Sequence, residues 1–251
     1  MPTLLPVALL SLLAGAANSI AGGGTLLTFP ALLALGIPPI TANATSTVAL
    51  VPGSFSSMMG YRDSLKGVRP WLVSFAVPSV FGGVLGAWLL VVTPEKRFAA
   101  LVPFLVLGAT ILFLAQRPIL RAVDRRRIGA APMPAPNAAF IAGQFCVAVY
   151  GGYFGAAAGI IMLAALGLMG LTDIHQMNGL KNWAAICFNG VAAAMFIFSG
   201  MVNWPVAVVM AVGAATGGWS AARLAQRVPR EKIRAAVGII GLAAAAWLFL
   251  R

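Results

Sequence analysis

The chain has 251 residues, of which 61% are hydrophobic and only 9% are charged. Soluble domains carry about 25% charged residues, so this composition excludes an ordinary soluble protein. The formal net charge is +12, but the basic residues stand in short segments between apolar runs and form no stripe alternating with aromatic residues. That distribution excludes a nucleic-acid-binding protein and indicates a membrane protein with several spanning segments.

Long uncharged runs fill most of the chain. No charged residue precedes Arg62, and residues 128–172 and 182–222 are also uncharged. A spanning helix needs about 20 mainly apolar residues, so each of these runs can cross a bilayer more than once. The first run lacks a basic segment at its start, so we interpret it as a retained helix and not as a signal peptide.

The two halves of the chain match at a constant 135-residue shift. The matching positions are Gly24 and Gly159, Asn43 and Asn178, Pro70 and Pro205, Gly82-Gly83 and Gly217-Gly218, and Pro94 and Pro229. Such residues constrain backbone geometry or polarity and not mere hydrophobicity. The match predicts a membrane repeat over residues 1–116, a second over 138–251, and a basic, Pro-rich linker without periodic pattern over 117–137.

The distribution of charge indicates that the repeats have opposite orientations. The basic segments are 61–70, 117–127 and 223–234, and the positive-inside rule places all three in the cytoplasm. At the 135-residue shift, segment 61–70 corresponds to an uncharged turn near Gly200, so the basic and uncharged turns exchange places between the halves. Both termini are then expected in the periplasm.

The predicted fold is an all-α polytopic membrane protein made of two inverted repeats. Each repeat has a broken, re-entrant first helix pair and three spanning helices, which gives about eight long helices and up to ten segments. An unbroken helix over residues 3–36 would be about 51 Å long, well beyond the roughly 30 Å core of a bilayer. We therefore expect a hinge at Gly22–Gly24 and a second one around Ala157–Gly159.

The hinges are the first candidate site for an anion. Gly22, Gly23 and Gly24 end one helix, and free N–H groups open the next at Thr25, as they do near Gly159 in the second half. Free N–H groups and the helix dipole both favour negative charge at a helix start. The alternative is close helix packing. We expect that packing role for the glycines of the later helices, Gly82, Gly83, Gly86, Gly213, Gly217 and Gly218.

Polar residues at the start of the following helix are the second candidate. They are Asn43, Thr45 and Ser46 in the first half and Asn178, Lys181 and Asn182 in the second half. These side chains either line a substrate site or cap the helix starts. Lys181 precedes a long uncharged run, and it either snorkels to the surface or supplies the positive charge of an anion site.

The remaining polar residues suggest no chemistry. His175 is the single histidine and lies in a predicted loop, where a proton-relay role is a minor alternative, and the five acidic residues all stand near loops. Because no catalytic or metal-ligating pattern is present in the sequence, we predict no enzyme, no cofactor and no metal site.

The same residues resemble the sulfite exporter TauE/SafE family, also called the toluenesulfonate uptake family. The resemblance covers nearly the whole chain and rests on Ala21–Thr25 with Pro30, Ala42–Ser46, Tyr150–Gly155, Asn178–Asn182 and Gly217-Gly218. It implies a bacterial inner-membrane transporter of sulfite, sulfonates or related small anions. The chain departs from the family at residues 156–159, where alanines replace a second glycine triplet and are expected to restrict the hinge.

We accordingly expect a secondary carrier that exports sulfite or organosulfonates by alternating access. An inside-negative potential favours anion export by about 2.3 kcal/mol per charge per 100 mV, so export needs no intramembrane carboxylate. Its partners are the small anion and the lipid bilayer; coupling to a proton or cation and assembly into a homo-oligomer are left open. The alternatives are a non-transporting membrane assembly or chaperone subunit and, less favoured, a membrane-embedded enzyme.

Overall fold

The computed structural model describes residues 4–65, 68–126, 136–224 and 230–250, and helices make up nearly all of these ranges. The first half contains α1 (Leu4–Ala21), α2 (Gly24–Ala34), α3 (Pro39–Gly60), α4 (Arg69–Val92) and α5 (Glu95–Leu114), followed by α6 (Gln116–Arg126). The second half contains α7 (Ala138–Tyr153), α8 (Ala158–Leu168), α9 (Ile174–Phe198), α10 (Trp204–Leu224) and α11 (Arg230–Leu250). At the 135-residue shift, α1–α5 fall on α7–α11 in order.

The helices have the length and composition of a membrane bundle. Four of those described are long and apolar enough to cross a bilayer: Pro70–Val92, Glu95–Leu114, Ile174–Phe198 and Trp204–Arg223. Large apolar side chains such as Phe81 and Phe104 face outward, as expected for surfaces in contact with lipid. Helix α3 is equally long but less apolar, because it contains Asn, Thr and Ser residues. Most of these polar side chains are buried inside the bundle. The all-α polytopic fold predicted from the sequence is confirmed.

The two halves interlock through the same contacts used twice. Helix α10 packs between α1 and α3, and α4 packs in the same way between α7 and α9, while α3 and α9 meet at the centre. Gly83 faces the backbone of Phe188, and Gly218 faces the carbonyl of Gly53, which is the counterpart of Phe188 in the first half. A methyl group on Gly217 would collide with the Leu12 carbonyl oxygen. These glycines therefore serve helix packing, as predicted.

Residues of two basic segments, 61–70 and 223–234, meet at one end of the bundle, here called the basic end. Arg62 after α3, His175 at the start of α9 and Arg223 near the end of α10 line one cavity there. The turn that matches 61–70 at the 135-residue shift lies at the opposite end. There Asn203, just before α10, donates its backbone N–H to Thr45 Oγ1 in the first part of α3 at 3.0 Å. The repeats are therefore inverted. Of the predicted basic positions, Lys66, Arg127 and Arg227 lie outside the described residues.

The first half of the predicted linker is a helix, which the sequence analysis missed. In α6 the side chains of Ile119, Leu120 and Val123 face the bundle, whereas Arg121 and Arg125 are exposed. Val123 packs beside α8. Only these three apolar positions show helical spacing within an arginine-rich segment, so the helix could not be recognised from the composition. Residues 127–135 lie outside the described part of the chain.

Both helix pairs break at the expected hinges. Gly22 has a φ angle of 80°, and Ala157, which occupies the same place in the second half, has a φ of 62°. The two turns meet inside the bundle, where a methyl group on Gly22 would lie 2.9 Å from the Gly159 Cα. Helices α2 and α8 have 11 residues each, about 16 Å, which is too short to span.

The alanine at the second hinge adopts nearly the same φ angle as the glycine at the first, and the expectation that it restricts the hinge stays a prediction. Ala157 adopts the left-handed conformation because the packed helices on both sides fix the turn. For an L-residue with a Cβ this conformation costs roughly 1–2 kcal/mol.

Replacement of Ala157 by glycine should therefore stabilise the protein. We expect Ala157→Gly to raise the free energy of unfolding by about 1 kcal/mol, because glycine adopts a positive φ without strain. Ala158→Gly is the matched control: Ala158 is the first residue of α8 and has no positive φ, so this variant should not stabilise. Thermal unfolding in detergent measures both, and a lower melting temperature for Ala157→Gly would contradict the account of the hinge.

Candidate functional site

A small cavity lies where the two hinges meet α3 and α9, and we call it the central cavity. It is lined by Asn18, Gly22 and Thr25 from the first hairpin, Thr47 and Leu50 from α3, Phe154, Gly155, Ala158, Gly159 and Met162 from the second hairpin, and Lys181, Asn182, Ala185, Phe188 and Asn189 from α9. Its volume is about 20 Å³, which accommodates roughly one water molecule. The bundle is therefore closed around this position.

Lys181 reaches the central cavity from the second turn of α9, and only 2% of its surface is exposed. Its Nζ donates hydrogen bonds to the carbonyl oxygens of Asn18 at 2.8 Å and Ser19 at 2.9 Å. These carbonyls belong to the last turn of α1, where the helix dipole favours a cation, and the Asn18 carbonyl also accepts the Gly22 backbone N–H at 3.1 Å. Lys181 thus caps α1, and its burial contradicts the snorkelling alternative.

The other half uses a neutral side chain for the corresponding contact. Asn43 in α3 donates its Nδ2 to the Tyr153 carbonyl at 3.0 Å, and Tyr153 is the counterpart of Asn18 at the repeat shift. In each half, a side chain of the third helix (α3 or α9) therefore donates a hydrogen bond to the C-terminal end of the first helix of the other half (α7 or α1). Ser46, which corresponds to Lys181, instead shares a 2.6 Å hydrogen bond with Thr28. Consequently the charge at the centre comes from one half alone.

Asn182 is fully buried and lines the central cavity. Neither its Nδ2 nor its Oδ1 has a hydrogen-bond partner within the described part of the chain. A buried polar group without a partner costs about 1–3 kcal/mol, and native proteins rarely keep one without a reason. The amide offers two N–H donors to a molecule in the cavity.

The predicted site residues divide into two groups. Those that line the central cavity are Gly22, Thr25, Gly159, Lys181 and Asn182. Those that do not are Gly23, Gly24, Asn43, Thr45, Ser46 and Asn178. In the second group, Gly23 packs against the Phe113 ring and Gly24 packs against α1. These two glycines therefore serve close helix packing, which was the alternative to an anion site.

Helix capping does not account for the polar clusters. The start of α9 is capped by Asp173, whose carboxylate accepts the backbone N–H of His175 at 2.8 Å. Helix α3 begins after Pro38 with no side-chain cap. Asn178 is buried instead, and its Oδ1 has no partner in the ranges described.

Three polar residues of the cavity were missed from the sequence: Asn18, Thr47 and Asn189. Thr47 is the counterpart of Asn182 in the first half, so the repeat shift already contained that signal. Asn189 follows Asn182 by two helical turns and so lies on the same face of α9. Asn18 lies one turn before the hinge, where it donates a 3.3 Å hydrogen bond to Ser54.

Different side chains flank the central cavity on its two sides. Toward the basic end, His175, Asn178 and Asn182 recur at helical spacing and so follow one face of α9. Toward the opposite end, the rings of Phe29 and Phe154 are in contact, with centroids 5.2 Å apart. Two further rings, Phe98 and Phe196, are fully buried on that side. Polar positions of α9 thus extend from the cavity toward the basic end, and a cluster of phenylalanine rings packs toward the opposite end.

Known proteins match the chain over nearly its full length. The family model described as "Sulfite exporter TauE/SafE" matches residues 7–248. "Probable membrane transporter protein YfcA" of Escherichia coli (strain K12) is 34% identical over 233 residues, which are 92% of this chain and 83% of that protein. "Probable membrane transporter protein ORF9" of Sinorhizobium sp is 29% identical over 239 residues, with 93% and 87% covered.

The family and these relatives are described as membrane transporters or exporters, and not as enzymes. The sequence predicted that class and the family itself. The match to the family model covers the hinges and the cavity-lining helices alike. This chain belongs to the sulfite exporter TauE/SafE family of multi-pass membrane proteins.

Proposed function

We propose that this protein is a secondary transporter that exports sulfite or organosulfonates and binds them in the central cavity. The observation that carries the proposal is the pairing of a buried amine, Lys181, with the unpartnered amide of Asn182 at one small cavity. The proposal extends the description of the family, which names sulfite, to this chain.

The electrostatics of the central cavity favour an anion. Thr25 lies in the first turn of α2, and Ala158 and Gly159 lie in the first turn of α8, so both half-helices present their N-terminal ends to the cavity. These two helix starts and the Lys181 amine attract an anion, while the negative carbonyl ends of α1 and α7 are contacted by Lys181 and Asn43. No acidic residue is among those that line the cavity. A small oxyanion would meet N–H donors on several sides.

Transport requires the helices around the central cavity to separate, since a volume of about 20 Å³ is too small for an oxyanion of several heavy atoms. The inverted halves supply two related ways of opening, one toward each end of the bundle. The positive-inside rule predicts that the basic end lies on the cytoplasmic side of the inner membrane and that both termini lie in the periplasm. In this orientation the polar face of α9 lies toward the cytoplasm and the phenylalanine cluster toward the periplasm, and the closed cavity must open by rearrangement of the bundle.

Removal of the Lys181 charge should weaken anion binding. In Lys181→Met we expect the apparent affinity for sulfite to fall about ten- to a hundredfold, since a hydrogen bond to a charged group contributes about 1.5–3 kcal/mol. Lys181→Arg should retain part of the affinity. The measurement is concentration-dependent flux of labelled sulfite into liposomes.

The control is Lys96→Met, which removes an exposed lysine near the start of α5 and should leave the affinity unchanged. Because Lys181 also caps α1, thermal stability is measured alongside the flux. An unchanged apparent affinity in a folded Lys181→Met variant would remove Lys181 from the site.

Replacement of Asn182 should separate stability from transport. Asn182→Leu eliminates a buried amide without a partner and should stabilise the protein by about 1–3 kcal/mol, while sulfite flux decreases. Asn43→Leu is the matched comparison, because it removes an amide that is bonded to Tyr153 and should destabilise. Thermal unfolding and flux are measured on both variants. If Asn182→Leu unfolds more easily, or transports as well as the wild type, the amide has no role at the site.

A further inference from the structure

A second cavity, here called the basic-end pocket, opens at the basic end with a volume of about 430 Å³. Its polar lining residues are Tyr61, Arg62, Asp63, Ser64, His175 and Arg223. They come from the turn after α3, the first turn of α9 and the end of α10. Since α3 and α9 also line the central cavity, both cavities share the same two walls.

The charge in the basic-end pocket is predominantly positive. Two guanidinium groups, Arg62 and Arg223, face a single carboxylate, Asp63. The Arg223 guanidinium lies over the Trp219 ring, 4.8 Å from its centroid, which holds it in place by a cation–π contact. Guanidinium groups bind planar or tetrahedral oxyanions through paired N–H donors and are weakly hydrated.

A polar face of α9 connects the two cavities. His175 lines the basic-end pocket, and Asn182 lines the central cavity. Asn178 lies between them on the same face, buried, with an Oδ1 that has no partner in the described ranges. The distance along the helix from His175 to Asn182 is about 10 Å at roughly 1.5 Å per residue.

We propose that the basic-end pocket is a second binding site for the transported class of small sulfur oxyanions. There an anion is held by Arg62 and Arg223 before the central cavity opens. This inference rests on the proposed function of the central cavity. The volumes support it, because a cavity of about 430 Å³ falls within the usual range of ligand pockets, while the closed central cavity does not.

Trp219 supplies a direct test, because an anion bound to Arg223 changes the environment of the ring beneath it. The full-length protein in lipid nanodiscs is titrated with sodium sulfite at constant ionic strength, and tryptophan fluorescence is recorded. We expect a saturable change that persists in Lys181→Met, where the central site is weakened. Trp219→Phe should abolish it, which assigns the signal to this residue.

Two variants leave the Arg223–Trp219 pair intact. Arg62→Gln should raise the half-saturating sulfite concentration about tenfold, as expected for loss of one charged hydrogen-bond donor group. Ser64→Asp should raise it at least as much, because it adds a carboxylate beside the arginines. Arg97→Gln, an exposed arginine near the start of α5, is the control and should have no effect.

Several outcomes would overturn the proposal. They are the absence of a saturable change in the wild type, or a change that disappears in Lys181→Met yet survives unaltered in Arg62→Gln and Ser64→Asp. The two proposals fail separately: a saturable Trp219 signal without sulfite flux rejects the transport function, and normal flux without the signal rejects the basic-end pocket.

Discussion

The structure depends on one buried contact between the halves, the amine of Lys181 on the last carbonyls of α1. Burial of an amine in an apolar bundle destabilises the protein unless the amine has hydrogen-bond acceptors, and so does burial of a helix end unless donors reach its last carbonyls. Here the Lys181 amine donates to those carbonyls, so one contact meets both needs. The contact holds the first hinge against α9, and with it Gly22 reaches the backbone of Gly159. The central cavity exists because the two hinges are held at this separation.

The asymmetry of that contact means that the one charged side chain lining the central cavity comes from the second half. Asn43 and Lys181 perform related structural tasks, since each donates to the end of the opposite first helix. Only Lys181 adds charge, and Ser46 at the corresponding position is occupied by Thr28. Under the proposed transport function, the inverted halves would open toward either side in related ways around this one amine. One charge would attract an anion without the stronger retention that two would produce.

Much of the fold follows from residues that constrain the backbone. The 135-residue shift matched glycines, prolines and asparagines, and the Gly82-Gly83 and Gly217-Gly218 pairs make equivalent helix contacts, whereas Pro229 lies outside the described residues. The left-handed conformation of Ala157 could not be predicted from its residue type, because the packing around it imposes a conformation that alanine disfavours. Helix α6 was missed for the opposite reason, since its few apolar positions are hidden among arginines.

The site was predicted less completely than the fold. Gly22 and Lys181 line the central cavity, but Gly23 and Gly24, the glycines that follow Gly22, pack against Phe113 and α1. The sequence of a glycine run does not reveal which glycine lines the cavity, because that depends on the backbone angles of the turn. Asn189 lies deep within a long helix, where sequence alone does not reveal which face looks inward. The repeat shift would have identified Thr47 had it been applied to Asn182.

The most direct measurement of the central claim is the position of a bound anion. Selenite has the charge and pyramidal shape of sulfite, and its selenium scatters X-rays anomalously. In crystals grown with selenite, the account predicts a selenium peak between the two hinges, with a selenite oxygen about 2.7–2.9 Å from Lys181 Nζ. Selenium peaks that are absent from the hinge region and occur only elsewhere on the protein would contradict it.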